Sequence, residues 1–365
     1  MTRFKRTMLV VSLLALVVAA CGGDTTDTTD GDTPATTAAP DPAETTTSAG
    51  EAEEPTTTTA EETPVVRLSA LSGGLTAIAQ LVIQENGFDL ANGFQGEYFY
   101  NDPDASGQFF LQRNSDIAFD FDSLGAAIAR TQDINVSVFY PLVNNNNCIL
   151  VQNDSEYQAV EDLTGQRVGH FGADSGTTTS ISTILSEFHG MNVFEDFELV
   201  ETGPPALVEL LGQGEVEAIF DFVPHQSRAF VEADARCLLG PINKYLAEQD
   251  TGLVNHLSAM TAYDDWLAEN EDLALMVMAA WDEAFAWINE DPSRITEGVY
   301  AEALAQDNPE VLALIADQVT EIPLFANEWG PDIVDGAEAW VDLAAEQGIL
   351  IDANPGGVHA IVGGS

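Results

Sequence analysis

Residues 167–188 read RVGHFGADSGTTTSISTILSEF, and this segment sets the architecture of the chain. Its first five residues predict a buried strand. The Gly- and Thr-rich turn leads into apolar residues at helical spacing, and Gly190 fits the C-cap of that helix. A strand, a turn and a helix in this order are typical of parallel sheets that are covered by helices.

The same alternation extends in both directions along the chain. Strand-like segments stand at 65–71, 94–100, 116–121, 134–140, 148–151 and 216–222, and helical segments at 75–86, 123–130 and 205–211. After His256 the pattern turns mostly helical, and its five Trp residues are best explained as core anchors. About 300 residues from Val65 onward suffice for two domains or one large one. We therefore predict an α/β fold.

The N-terminus has the features of an export signal. Arg3, Lys5 and Arg6 precede an apolar stretch that is shorter than the roughly 20 residues of a membrane-spanning helix. The small residues before Cys21 resemble the lipobox of bacterial lipoproteins. This resemblance implies a signal peptide over residues 1–20 and a lipid on Cys21, which would anchor the protein to the outer face of the cytoplasmic membrane. The alternative is an ordinary signal peptide with an incidental cysteine.

Composition narrows the range of partners. Residues 21–64 are rich in Thr and acidic residues and poor in apolar ones, which predicts a disordered linker. The chain has 11 Lys and Arg against 60 Asp and Glu, a formal net charge of −49. This balance argues against nucleic acid, which needs a basic surface, and against an anionic bilayer surface.

Two cysteines remain if Cys21 carries a lipid. Cys148 and Cys237 can form a disulfide in an exported protein. Two separate buried thiols are the alternative, because sequence spacing alone does not bring the two sulfur atoms within bonding distance.

Several segments in order resemble type II periplasmic binding proteins. These are Asn114-Ser-Asp-Ile-Ala118, Glu161-Asp-Leu-Thr-Gly-Gln-Arg-Val-Gly169, the turns at 172–180 and 221–225, and Gly214-Glu-Val-Glu-Ala218. Together they are most similar to the nitrate/sulfonate/taurine and thiamine-precursor binding proteins of ABC importers, over about residues 65–349. Asn114 and Glu217 depart from the usual Gly and Asp of that pattern.

The resemblance implies a two-lobed fold, in which each lobe is a mostly parallel sheet flanked by helices. Two crossover strands, near 140–148 and 239–256, would join domain I (65–143 plus 256–365) to domain II (144–255). The implied function is that of an extracytoplasmic solute-binding protein, a monomer that delivers a small ligand to an ABC permease and its ATPase. Sulfonates, nitrate-like anions and pyrimidine-type heterocycles are the implied ligands. A ligand-binding sensor or adaptor lipoprotein is the alternative, and an exported enzyme is less favoured.

Candidate ligand-binding residues follow from the position of the cleft, because ligands of open α/β sheets bind beyond the carboxyl ends of the strands. The residues that we predict to contact the ligand are Ser72, Gly73, Gly74, Phe119, Asp120, Ser123, Ser175, Gly176, Thr177, Thr178, Asp221 and Phe222. Each group has a structural alternative: a tight turn for the glycines, an N-cap series for the Ser and Thr residues, and solvated loop acids for the aspartates, Asp122 included.

The chemistry of these loops favours binding over catalysis. They contain no Arg or Lys, which makes a phosphate-like ligand less favoured. Acids beside aromatic residues fit a cationic, amine-bearing or heterocyclic ligand, although helix N-termini could hold a sulfonate. The sequence has no nucleophile elbow, no phosphate loop and no metal-ligand spacing of its five His residues. We therefore expect no catalytic residue, metal or cofactor.

Overall fold

A computed structural model describes residues 62–350 and 357–363. The predicted signal peptide, the lipidation site at Cys21 and nearly all of the predicted linker lie outside the described residues. Within the described part, no helix is both long and apolar enough to cross a bilayer.

Within residues 62–350 and 357–363, ten strands form two sheets of five. The strands are β1 (Val65–Leu71), β2 (Gln95–Asn101), β3 (Ile117–Phe121), β4 (Val136–Asn144), β5 (Cys148–Gln152), β6 (Arg167–His170), β7 (Glu198–Glu201), β8 (Ala218–Asp221), β9 (Ala235–Leu239) and β10 (His256–Tyr263). The order in the first sheet is β2-β1-β3-β10-β4, and in the second it is β7-β6-β8-β5-β9.

Fourteen α-helices belong to the described residues. They are α1 (Leu75–Asn86), α2 (Phe88–Ala91), α3 (Pro103–Leu111), α4 (Ser123–Thr131), α5 (Gly176–His189), α6 (Val193–Asp196), α7 (Pro204–Gly212), α8 (His225–Glu232), α9 (Ile242–Glu248), α10 (Asp264–Glu269), α11 (Glu271–Glu290), α12 (Gly298–Ala303), α13 (Pro309–Glu321) and α14 (Pro331–Glu346). Short 3-10 helices cover Val160–Leu163 and Pro292–Thr296.

The strand pairing produces the predicted two-lobed architecture. The chain leaves the first sheet after β4, enters the second at β5, and returns from β9 to β10 through α9. In the first sheet β1 pairs in parallel with β2 and β3, and in the second β6 does so with β7 and β8. Strand β10 in the first sheet and β5 in the second pair antiparallel with both neighbours. Four of the five strands in each sheet therefore point the same way, and each sheet is mostly parallel, as predicted. The predicted domain boundaries stay a prediction.

Strand β10 is the main difference from the expected secondary structure, because the sequence after His256 predicts mostly helix. Nearly all of its residues are buried, because it is an inner strand whose alternate side chains, such as Ala259 and Met260, pack into different core clusters. A strand enclosed on both faces lacks the apolar–polar alternation by which a half-buried strand is recognised. Trp281 and Trp340 are fully buried, and the other three Trp residues pack against the core.

Local signals at the helix ends position the loops between the lobes. Helix α1 begins after Gly73 and Gly74 and ends at Gly87, whose φ of 66° is left-handed. In α5 the Ser175 hydroxyl accepts a hydrogen bond from the Thr178 N–H at 3.2 Å. In the second lobe a disulfide joins Cys148 of β5 to Cys237 of β9, with their Cα atoms 5.6 Å apart.

Candidate ligand-binding site

A cavity of about 240 Å³ lies between the two lobes. The segments that follow β1, β3, β6 and β8 form most of it, so the carboxyl ends of strands from both sheets meet there, as open α/β sheets require. Its lining consists of Leu71, Gly74, Leu75, Thr76, Asp120, Phe121, Asp122, Leu124, Gly125, Ile128, Val143, Phe171, Asp174, Gly176, Thr177, Thr179, Phe222, Val223, Leu257 and Ser258. We call this space the main cavity.

The structure brings some of the predicted binding residues together. Gly74, Asp120, Gly176, Thr177 and Phe222 line the main cavity. Ser72 and Gly73 instead line a neighbouring cavity of about 530 Å³, the second chamber, which shares Leu71, Phe171 and Phe222 with the main cavity.

The other five predicted residues do not line the main cavity. Phe119, Thr178 and Asp221 are fully buried. The Ser123 hydroxyl lies 2.7 Å from His359 Nε2, and Ser175 caps α5. As ligand contacts, all twelve residues stay a prediction.

Two enclosed carboxylates lie on the first-lobe side. Ser106 Oγ donates a hydrogen bond to Asp120 Oδ2, whereas the buried Asp120 Oδ1 has no hydrogen-bond partner among the described residues. Burial raises the pKa of Asp120 to about 6. Asp122 caps α4, because its Oδ1 accepts from the Gly125 N–H at 2.6 Å, and burial raises the pKa of Asp122 to about 6 as well. Both groups therefore resist carrying a charge.

Asp122 of the first lobe lies close to Gly176 of the second. A Cβ atom on Gly176 would lie 2.8 Å from Asp122 Oδ2, which is shorter than real Cβ contacts. The first-lobe carboxylate thus lies against the N-terminal end of α5, where the helix dipole favours negative charge. This approach explains why the first residue of α5 is a glycine.

Buried asparagines of the first crossover support the second-lobe wall. Asn147 Oδ1 accepts a hydrogen bond from Thr177 Oγ1 at 3.2 Å, and Asn146 Oδ1 accepts one from the Val223 N–H at 2.9 Å. Thr177 and Val223 line the main cavity. The crossover between the sheets therefore holds two lining residues directly, and a change in the hinge would move them.

Asp221 and His225 lie on either side of Phe222 in the second lobe. The Phe222 N–H donates to Asp221 Oδ1 at 2.9 Å, and Asp221 Oδ2 is without a described partner. Burial raises the pKa of Asp221 well above its ordinary value. Burial, with a smaller contribution from the charge of Arg228, lowers the pKa of His225 to about 4, so its imidazole is neutral at pH 7.

The described lining combines carboxylates, hydroxyl groups and apolar side chains. Asp120, Asp122 and Asp174 contribute carboxylates, and no Lys, Arg or His is among the lining residues. Arg228 of α8 is engaged elsewhere, at 2.5 Å from Glu232 and 3.5 Å from Glu209. No group of three or more His, Cys, Asp or Glu side chains in the described part is arranged to hold a metal ion.

Sequence reasoning missed several lining residues. Asp122 appeared only as a general loop acid, although an Asp directly before a helical segment is an N-cap signal that could have placed it at the start of α4. Phe121 and Phe171 also line the main cavity. The alternation of aromatic and acidic residues over 119–122 does not decide whether Phe119 or Phe121 points inward, and Phe171 is predicted only as the end of a strand. Leu257 and Ser258 were missed because β10 was not recognised as a strand.

The fold and the interlobe cavity define a type II periplasmic-binding-protein fold, as predicted. Residues 84–295, more than half of the chain, match the family model described as NMT1/THI5 like, so the chain belongs to that family. The resemblance to binding proteins of the nitrate/sulfonate/taurine and thiamine-precursor group is thereby confirmed. Among the curated proteins, none matches this sequence.

Solved structures share the fold at low sequence identity. The periplasmic aliphatic sulphonate-binding protein SsuA from Escherichia coli has a TM-score of 0.64 and 16% identity, over 80% of this chain and 95% of that one. The alkanesulfonate-binding protein SsuA from Xanthomonas axonopodis pv. citri, bound to MOPS, has a TM-score of 0.60 and 14% identity, over 80% and 96%. The desulfurization enzyme DszB has a TM-score of 0.55 and 14% identity, over 80% and 94%.

Proposed function

We propose that this protein captures a small organic solute between its two lobes and delivers it to an ABC permease. The observation that carries the proposal is the main cavity, because both lobes line it and the crossovers provide a hinge on which they can close. Similarity of fold to sulfonate-binding transport proteins supports this role.

The ligand in this proposal is neutral or cationic and presents hydrogen-bond donors, as an amine or an amino-substituted heterocycle does. A sulfonate would face enclosed carboxylates, and no cation among the described lining residues would balance it. Asp120 Oδ1, buried and unpartnered among the described residues, is an acceptor that such a donor could use. A charge-assisted hydrogen bond there contributes about 1.5–3 kcal/mol.

The cellular setting of the proposal rests on the sequence. Export and a lipid on Cys21 would hold the protein on the outer face of the cytoplasmic membrane, beside a permease and its ATPase. A monomer suffices, because the main cavity is built from one chain. A sensor or adaptor would use the same cavity, so loss of solute uptake on deleting the protein separates an importer from a sensor.

Binding is favoured over catalysis on the same fold. The described lining of the main cavity contains neither a cysteine nor a histidine, the usual nucleophile and base of covalent catalysis. The two cysteines of the described lobes are joined in a disulfide, and neither lines the main cavity.

A thermal-shift screen of the purified protein tests the proposal, because a ligand that binds the native state raises the melting temperature. Amines and aminopyrimidines are compared with sulfonates and nitrate. We expect amines or aminopyrimidines to stabilise the protein, and Asp120→Asn to weaken their binding about tenfold or more. Asp154→Asn is the control, because Asp154 is an exposed acid outside the cavity. Stabilisation by sulfonates or nitrate alone would overturn the proposed ligand class.

A further inference from the structure

We propose that the second chamber binds the apolar body of the same ligand, so that the substrate is a two-part molecule with a donor-bearing head and an aromatic or aliphatic body. The proposal rests on the proposed function, which assigns the head to the main cavity. The second chamber adds a distinct region with its own chemistry.

Volume is the first argument. At about 240 Å³ the main cavity falls below the roughly 300–1,000 Å³ that is typical of small-molecule sites. The second chamber measures about 530 Å³ and shares three lining side chains with the main cavity. Together, the volumes of the two spaces fall within the range that is typical of small-molecule sites. The main cavity alone has room for the head of the ligand.

The lining of the second chamber is the second argument. Ala77, Leu81 and Tyr100 approach from the first lobe, and the adjacent Pro204 and Pro205 from the second. These side chains offer apolar and aromatic surface, and the polar side chains of the lining besides His225 are Ser72 and the exposed Glu302. Because both lobes contribute, an apolar body held there would be enclosed when the lobes close.

His225 contributes a polar side chain to the lining of the second chamber. Its side chain lines the second chamber, is 9% exposed, and has an Nδ1 atom without a described hydrogen-bond partner. The lowered pKa keeps the imidazole neutral at pH 7, so it does not repel a neutral or cationic ligand. A small number of hydrogen-bonding groups in a mostly apolar lining is how small-molecule sites fix the orientation of a ligand.

Three shared side chains separate the two spaces. The rings of Phe171 and Phe222 lie 5.4 Å apart between centroids, and His225 approaches Phe222 edge-on at 5.5 Å. With Leu71 they form an apolar neck that both spaces contact. All three neck residues are only half-buried, so their side chains have room to change rotamer around a ligand that passes between them.

Three series of probes with a common body test the proposal. Benzylamine, 2-phenylethylamine, 3-phenylpropylamine and 4-phenylbutylamine form the first series, and the corresponding alcohols and sulfonates form the other two. Affinity is measured by calorimetry on the purified protein. We expect affinity to rise with chain length, by up to about fourfold for each methylene that becomes buried in the second chamber.

Substitutions at Ala303, which lines the second chamber, show where the body binds. Ala303→Leu and the larger Ala303→Phe fill the chamber progressively, so both should remove the gain with chain length, by about tenfold or more for the longest probe. Benzylamine affinity should change less than about twofold. Ala301→Phe is the matched control, because Ala301 belongs to the same helix and does not line the chamber.

The probes distinguish failure of the proposed ligand charge from failure of the proposed binding of the apolar body in the second chamber. If chain length raises affinity for the sulfonates but neither amines nor alcohols bind, the proposed ligand charge is wrong, whereas the second chamber is still a ligand subsite. If no series gains with chain length, or if Ala303→Leu weakens short and long probes equally, the second chamber is not a ligand subsite. If no probe of any series binds, both proposals are overturned.

Discussion

Replacing Asp120 by asparagine should make the protein less sensitive to pH. In the folded state burial raises the pKa of this carboxyl from 3.8 to about 6, so the folded protein takes up a proton more readily than the unfolded chain. Between about pH 4 and pH 6 the native state therefore binds more protons, and stability falls as the pH rises through that window. Above the folded pKa the full destabilisation is present.

The size of the effect follows from the same two values. A pKa change from 3.8 to about 6 corresponds to about 3 kcal/mol of differential stability across the window. The side-chain amide of the Asp120→Asn variant cannot ionise, and its oxygen can still accept the hydrogen bond from Ser106 Oγ. Relative to wild type, the free energy of unfolding of the variant should rise by about 2–3 kcal/mol from pH 4 to pH 7.

Urea unfolding at pH values from 4 to 8 measures this difference. Asp154→Asn removes the same charge from an exposed position and corrects for the general effect of the acidic surface. Parallel pH profiles for Asp120→Asn and Asp154→Asn would show that Asp120 is solvated in solution and would refute the reasoning. Because burying the amide nitrogen costs the same free energy at every pH, a constant difference in the free energy of unfolding between the variants would neither support nor refute the reasoning. Only the pH dependence of that difference tests it.

Three further predictions concern the lobes and the anchor. Gly176→Ala should lower ligand affinity, measured by calorimetry, about tenfold with little change in melting temperature, because the added Cβ atom meets Asp122. Gly203→Ala is the control, because a Cβ atom on Gly203 has no neighbouring atom within 4 Å. Cys148→Ser should lower stability by about 2–4 kcal/mol in urea unfolding, because it opens the disulfide; equal stability of oxidised wild type and variant would contradict this. Cys21→Ser should release the protein from membranes in fractionation, and retention at high salt would exclude the lipid anchor.

Much of the fold was readable from local sequence. Strand β1 and helix α1 lie where the alternation predicts them, because a strand, a Gly-Gly break and a helical apolar stripe follow one another without ambiguity. Strand β10 was not readable in this way, because its alternate side chains pack into two different core clusters and leave no apolar–polar alternation in the sequence. Helix α3 was missed as well, since Gly107 and two Phe residues give its sequence a weak helical signal.

The position of the main cavity was predictable, whereas its exact lining was not. Topology brings the ends of β1, β3, β6 and β8 together, so the loops could be named in advance. Which side chain of a loop points inward depends on packing. Phe119 belongs to the core and Phe121 reaches the cavity, although both have the same place in the alternating pattern of the sequence.

The acidic composition of the chain does not account for the carboxylates between the lobes. A surface acid is hydrated and screened by salt, so a net charge of −49 can be tolerated at modest cost. The carboxyl groups of Asp120 and Asp122, which line the main cavity, are enclosed instead, and their raised pKa values indicate that the folded protein opposes their ionisation. A cationic head would relieve that opposition for any carboxylate it contacts, and its binding would tighten as the pH rises through 6. A bound anion would instead oppose the ionisation of these carboxyl groups further. The enclosed acids therefore give the cleft a preference for charge that is set by its own architecture, independent of the surface.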